Sequence, residues 1–185
     1  MKLQPSVRYI DNKSKNQLGG GAIGGALGAA AGGPAGAVVG ATLGGWLFGR
    51  ESDHNDTLRK TYSAVKEATS DEAHLYVSHI DPDGAASTSP QGVIDGVNGE
   101  PDIISIDSTS ANLIVEVETM EAIAENGSHA LNQLQDYRTS GFKRVLVVPE
   151  EEIDAAIEWV EAHEDQGALE GSLTVASPER IANVL

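Results

Sequence analysis

Pro101-Asp102-Ile103-Ile104-Ser105-Ile106-Asp107 and Leu113-Ile114-Val115-Glu116-Val117-Glu118-Thr119 are two apolar runs with only Ser108 to Asn112 between them. Both are rich in β-branched residues, and so short a connection predicts a β-hairpin. Strand side chains alternate between faces, so Glu116 and Glu118 share one face while Val115 and Val117 point to the other. The paired strand brings Asp102, at its start, beside the two glutamates. Three carboxylates converging on a sheet edge form an oxygen-ligand set suited to Mg²⁺ or Mn²⁺, the chemistry that activates water in phosphodiester cleavage.

Around the hairpin, elements of both kinds are expected. Asn126-Gly127-Ser128 reads as the opening of a helix reaching about Ser140, with Gly141 as its cap. Lys143 to Pro149 (KRVLVVP) reads as a buried strand. Glu150 to His163 forms an amphipathic helix with Ile153, Ala156, Ile157 and Val160 inward, its leading carboxylates favoured by the helix dipole. Residues 172–177 (SLTVAS) are a last strand, and PERIANVL a short closing helix. On the N-terminal side, residues 51–70 form a helix with Leu58, Tyr62 and Val65 on one stripe. HLYVSHI at 74–80 is a strand ended by the turn Asp81-Pro82-Asp83-Gly84. The fold class is α/β: a mixed central sheet flanked by helices.

Composition narrows the function classes. The chain of 185 residues carries 28 acidic and 12 basic groups, a formal charge of −16, which excludes a simple basic-patch nucleic-acid binder. Cysteine is absent, so disulfides, thiolate zinc sites and cysteine nucleophiles are excluded. An acidic, lysine-poor surface matches a salt-adapted, halophilic-type protein, whose carboxylates hold water while salt screens their repulsion.

The charge is unevenly spread. Residues 1–50 hold Lys2, Arg8, Lys13, Lys15 and Arg50 against Asp11 alone, and residues 18–49 carry no charge. Within that run Gly20, Gly24, Gly28, Gly32, Gly36, Gly40 and Gly44 recur every fourth position, one smooth groove along a helix. Such a helix is poor in water, where each glycine costs about 1 kcal/mol, but in lipid the groove admits a second helix closely. Gly32-Gly33-Pro34 interrupts it, giving a kinked span or a helical hairpin, with Trp46 and Phe48 placed for a headgroup belt. The segment resembles the glycine-zipper membrane segments of small envelope-associated proteins. Three parts are expected: a polar basic arm (1–17), a membrane-associated zipper that drives homo-oligomerisation (18–49), and the α/β domain (51–185). The basic arm favours a cytoplasmic N-terminus.

Pro101-Asp102, the spacing to Glu116-Val117-Glu118, and Gln133-Leu134-Gln135-Asp136-Tyr137 on the following helix resemble the PD-(D/E)xK nuclease superfamily. They are similar in particular to its RecB-like and Cas4-like Q-x-x-x-Y branch. The resemblance covers roughly residues 95–165 and implies a restriction-endonuclease-like fold. It also implies a Mg²⁺- or Mn²⁺-dependent nuclease with nucleic acid as partner, its domain in the cytoplasm at the membrane. By it, Asp102 and Glu116 bind the metal, while Gln133 and Tyr137 support substrate, with His129 one turn earlier on their face. Glu118 stands where the family has lysine; by the resemblance it joins the metal set and orients or deprotonates water, and Lys143 is the nearest later amine. The departure keeps a second function open, a catalytically inactive binding or assembly module on the same fold.

Overall fold

The structure, a computed structural model, describes residues 8–9, 43–81 and 89–185. Six strands form one mixed sheet: β1 (Arg8–Tyr9), β2 (His74–Val77), β3 (Ile103–Ile106), β4 (Asn112–Val117), β5 (Phe142–Val147) and β6 (Leu173–Ala176). Their order is β1-β6-β5-β4-β3-β2. The expected hairpin is present: β3 and β4 pair antiparallel, with Ile103 opposite Val115. β2 adds antiparallel to β3, while β4, β5 and β6 run parallel. Parallel neighbours need crossovers, and α2 (Met120–Asp136) and α3 (Ile153–Asp165) supply them. The carboxyl ends of β4, β5 and β6, the end of β2 and the start of β3 therefore lie along one edge of the sheet.

Alternation decides which helix covers which face. Leu113, Val115 and Val117 of β4 and Val145 and Val147 of β5 pack against Leu58, Tyr62 and Val65 of α1 (Leu43–Ala68). Ile181 and Val184, in the closing turn of the chain, complete that core. On the opposite face Leu146, Leu173 and Val175 meet Ile123, Ala130 and Leu134 of α2 and Ile153, Ala156 and Val160 of α3. Each such fully buried aliphatic side chain contributes about 1.5–3 kcal/mol relative to exposure. Helices thus sandwich the sheet, as the sequence pattern anticipates.

Several boundaries differ from expectation, each for a local reason. α2 begins at Met120, not at Asn126, because the Thr119 side chain accepts from the Ala122 N–H and caps it six residues earlier. Asn126 is instead a break inside the helix, with φ −137° and ψ 44°. α2 ends at Asp136, and Gly141, at φ +85°, serves the turn into β5 rather than the helix. Glu150–Glu152 form one 3-10 turn before α3, and the closing helix is a 3-10 turn at Ile181–Asn183. α1 starts at Leu43, so its backbone takes in the last residues of the uncharged run. Among the described residues no helix is long and apolar enough to cross a membrane. Most of the expected zipper (residues 18–42), most of the basic arm and the turn residues 82–84 lie outside the described residues.

One polar knot ties α1 to the hairpin. Buried Asp107 accepts from Ser70 N–H and Oγ, each at 2.9 Å, from Thr109 N–H and Oγ1, each at 2.9 Å, and from Ser110 Oγ at 3.1 Å. These donors, the Ser70 and Thr109 amides foremost, favour the charged form and hold the carboxyl well below the usual carboxylate range. A depressed native pKa contributes stability that is complete above the unfolded value, about 4, and is lost as pH falls below it. Asp107→Asn is therefore expected to lower Tm at neutral pH and to flatten its fall in acid, measured by thermal unfolding across pH.

Candidate functional site

Asp102 occupies the turn into β3 and is 3 % exposed. Its Oδ2 accepts from the Val117 N–H at 2.8 Å, just past the last antiparallel pair of the hairpin. Its Oδ1 lies 3.3 Å from Ser78 Oγ, and its carbonyl accepts from the Ser78 N–H at 3.0 Å. His54 comes from α1, with Nε2 3.5 Å from Asp102 Oδ1. The ends of β2, β3 and β4 and one turn of α1 therefore meet on a single carboxylate.

Glu116 is 4 % exposed on the α2 face of β4, and its Oε2 has no hydrogen-bond partner. Burial, then the charges of Asp102 and Glu118, push its carboxyl well above the ordinary range. Hydrogen bonding from the Tyr137 hydroxyl and the Asp102 N–H pulls the other way without prevailing. Glu118 lies one residue past β4, half-buried, its N–H donating to Val147 O at 2.9 Å. Burial also raises its carboxyl, opposed by the nearby His54 imidazole. His54 in turn is raised by its bond to Asp102, against the lowering effect of burial, with the Asp102 and Glu118 charges adding to the rise.

The pair expected on the following helix sits over the same spot. Tyr137, the last residue of α2's C-terminal cap, is 1 % exposed, and the Gln133 Nε2 is 3.5 Å from its hydroxyl. Burial and then the Glu116 charge raise the phenol, so it remains a neutral donor. Gln133 Oε1 is buried without a partner. Arg144 of β5 fixes this end of α2, donating to Leu134 O and Glu170 O at 2.5 Å each. Gly99, at φ +96°, lets the chain before Asp102 pass across the ring, where an added Cβ stands 3.5 Å from Tyr137 Cε1.

Asp102, Glu116, Glu118, Gln133 and Tyr137 are thus gathered at one edge of the sheet. His54, Ser78 and His79 are not among the residues expected at the site. His54 carried a signal: it lies one turn before Leu58, extending the stripe Leu58, Tyr62, Val65 with a polar residue. Lys143 lies elsewhere, donating to Val184 O at 2.6 Å. His129 is exposed on α2, and the hydrogen bonds that hold Asp102 and Tyr137 do not involve it.

Hard divalent cations take carboxylate oxygens, and Asp102 and Glu116, with one buried acceptor oxygen unsatisfied, are the residues that would hold one. Among the described residues no trio of His, Asp and Glu side chains forms a ready-made cation cage. A cavity of about 420 Å³ opens alongside, lined by Asp53, Asp56, Lys60, Glu121, Glu151 and Glu179 among others. Its negative lining does not include any of the five expected residues. In comparisons with protein-family models, curated proteins and solved structures, nothing matches this chain.

A buried carboxyl whose native pKa is raised adds most stability when protonated and loses it as pH rises. Glu116→Gln removes the charge and keeps an acceptor for the Tyr137 hydroxyl. The metal-free variant is expected to melt higher than wild type at neutral and alkaline pH. That gain shrinks as pH falls into the carboxylate range, a profile read by thermal unfolding with chelator present.

Proposed function

We propose that the α/β domain is a metal-dependent nuclease-like domain of PD-(D/E)xK type, tethered to a membrane through residues 18–49. The observation that carries the reading is the buried, unpartnered Oε2 of Glu116 beside Asp102. Packing two carboxylates together with an acceptor left open costs stability, and such costs concentrate at functional sites. The strand–strand–helix setting of Asp102, Glu116 and the Gln133–Tyr137 pair supports the same reading.

In this proposal Asp102 and Glu116 bind Mg²⁺ or Mn²⁺. When bound, such an ion supplies charge stabilisation to the phosphoryl oxygens and lowers the pKa of water. Val117 N–H and Ser78 hold Asp102 in orientation, and Tyr137, steadied by Gln133, does the same for Glu116. This gives the Gln–Tyr pair a positioning role beneath the carboxylates, where the resemblance implies support of substrate. Glu118 carries a raised carboxyl at the site's edge, a group that accepts the proton of the attacking water in this proposal. His54 bonds Asp102 and lies near Glu118, where its imidazole opposes the rise of that carboxyl.

Divalent metal should stabilise the domain by mass action, about 2.7 kcal/mol at a hundred times the dissociation constant. Asp102→Ala and Glu116→Ala are expected to remove both this gain and any cleavage of single- or double-stranded DNA or RNA. A melting temperature unmoved by Mg²⁺ and Mn²⁺, at the salt the protein prefers, rejects the metal site. A metal shift without cleavage of any of these substrates assigns the chain to the rival class, an inactive assembly module oligomerising through the zipper.

The membrane part has its own test. Arg8–Tyr9 pairs with β6 and α1 packs on the same sheet, so the chain on either side of the zipper belongs to one body. Both flanks of the zipper then share one side of the bilayer, the cytoplasmic side under this proposal. The chain has no native cysteine. Single cysteines placed at Lys2 and at Ser172 in full-length, membrane-embedded protein are expected to react with an impermeant reagent from the same side. Reaction from opposite sides assigns a single span.

A further inference from the structure

The donors at the strand edge are committed to holding carboxylates. Ser78 Oγ, the Val117 N–H and His54 Nε2 all face Asp102, while Gln133 faces Tyr137 and Tyr137 faces Glu116. Ionised carboxylates only accept hydrogen bonds. A phosphodiester, itself an acceptor, therefore needs a donor beyond those spent on the carboxylates, and Glu118 stands where the family has its amine. Along the edge, the side over β4, β5 and β6 is the acidic cavity with Asp53, Asp56, Glu121 and Glu151 in its lining. A polyanion is repelled there, which leaves it the other side of the carboxylates, where β2 ends.

That other side presents an imidazole. His79 follows Ser78 directly, is exposed, and sets its ring edge-on to His54, centroids 6.3 Å apart and planes at 71°. Its backbone has φ +61°, and it is the non-glycine residue that takes a positive φ among the described residues. The turn is closed by the Ile80 N–H donating to Ser78 O at 2.7 Å, a three-residue turn of the rare, strained hand. Glycine satisfies such a position without strain, yet the chain carries a bulky donor there. Strain held next to a charged cluster points to use of the side chain.

Resting on the nuclease reading above, we propose that His79 is the substrate-binding donor of the site. Its imidazole N–H hydrogen-bonds a non-bridging oxygen of the phosphodiester set against Asp102 and Glu116. The strained turn aims the ring, and His54 buttresses its edge.

The test uses full-length protein with labelled histidines, Mg²⁺, and a single-stranded oligonucleotide with phosphorothioate linkages. The five histidine ring signals are assigned by single substitutions. Oligonucleotide is expected to shift the rings of His79 and His54 and to leave those of His74 and His163 in place. His79→Gly relieves the backbone and removes the donor, so it should melt no lower than wild type while weakening oligonucleotide Kd at least about tenfold. His79→Asn tolerates the same backbone and keeps an N–H donor, so it should recover part of that loss. If wild type binds the oligonucleotide and His79→Gly binds it equally well, the proposal on His79 is overturned and the nuclease reading stands. If wild type binds neither Mg²⁺ nor oligonucleotide, the nuclease reading fails and this proposal fails with it.

Discussion

The 2.8 Å hydrogen bond from the Val117 amide to the Asp102 carboxylate is the contact on which the rest of this architecture turns. It forms where the β3–β4 ladder has run out, so a side chain takes over from the backbone as acceptor for a buried N–H. The same carboxyl group receives Ser78 from the end of β2 and faces His54 from α1. One buried carboxyl group thereby sets the relative positions of three strand ends and a helix. Glu116, adjacent in sequence to Val117, is then forced into the same low-dielectric neighbourhood, and Tyr137 with Gln133 closes over it from α2.

That arrangement opposes stability locally. Burial and like charge both disfavour ionised Glu116, and its open Oε2 adds an unsatisfied acceptor. An apolar residue at 116 would serve the core better, since Leu146 beside it on β5 is fully buried. The two hydrophobic cores on either side of the sheet supply the stability against which this cost is set. Asp107, at the other end of β3, shows the contrast: five donors surround it, so its charge strengthens the fold.

Charge at longer range shapes access. The acidic cavity over the ends of β5 and β6 lies on one side of the carboxylates, and the His54–His79 ring pair lies on the other. In a chain of net charge −16 the local balance of donors and acceptors matters more than the total, particularly at high salt, where screening limits exposed charges to about a Debye length.

Much of this was legible in the residues themselves. The β3–β4 hairpin, the alternation that sets Val115 and Val117 against Glu116, and the inward stripes of α1 and α3 follow from periods of 2 and 3.6, which are local properties of the chain. Hairpin alternation already set Asp102 beside Glu116 and Glu118, whereas Gln133 and Tyr137 were expected only from the family resemblance. The start of α2 was misread because Asn126-Gly127 looks like a helix opening, whereas the Thr119 cap and packing on the sheet carry the helix straight through it, at the cost of a break. The contributions of His54, Ser78 and His79 were decided by tertiary structure alone. They come from a helix and a strand 48 and 24 residues before Asp102 or nearer, and no local periodicity relates them to it. Which carboxyl is stabilised and which is strained was likewise beyond the sequence. Asp107, just past β3, and Glu116, on β4, are both buried acids, and only the donors that folding brings to each distinguish a structural anion from a frustrated carboxyl.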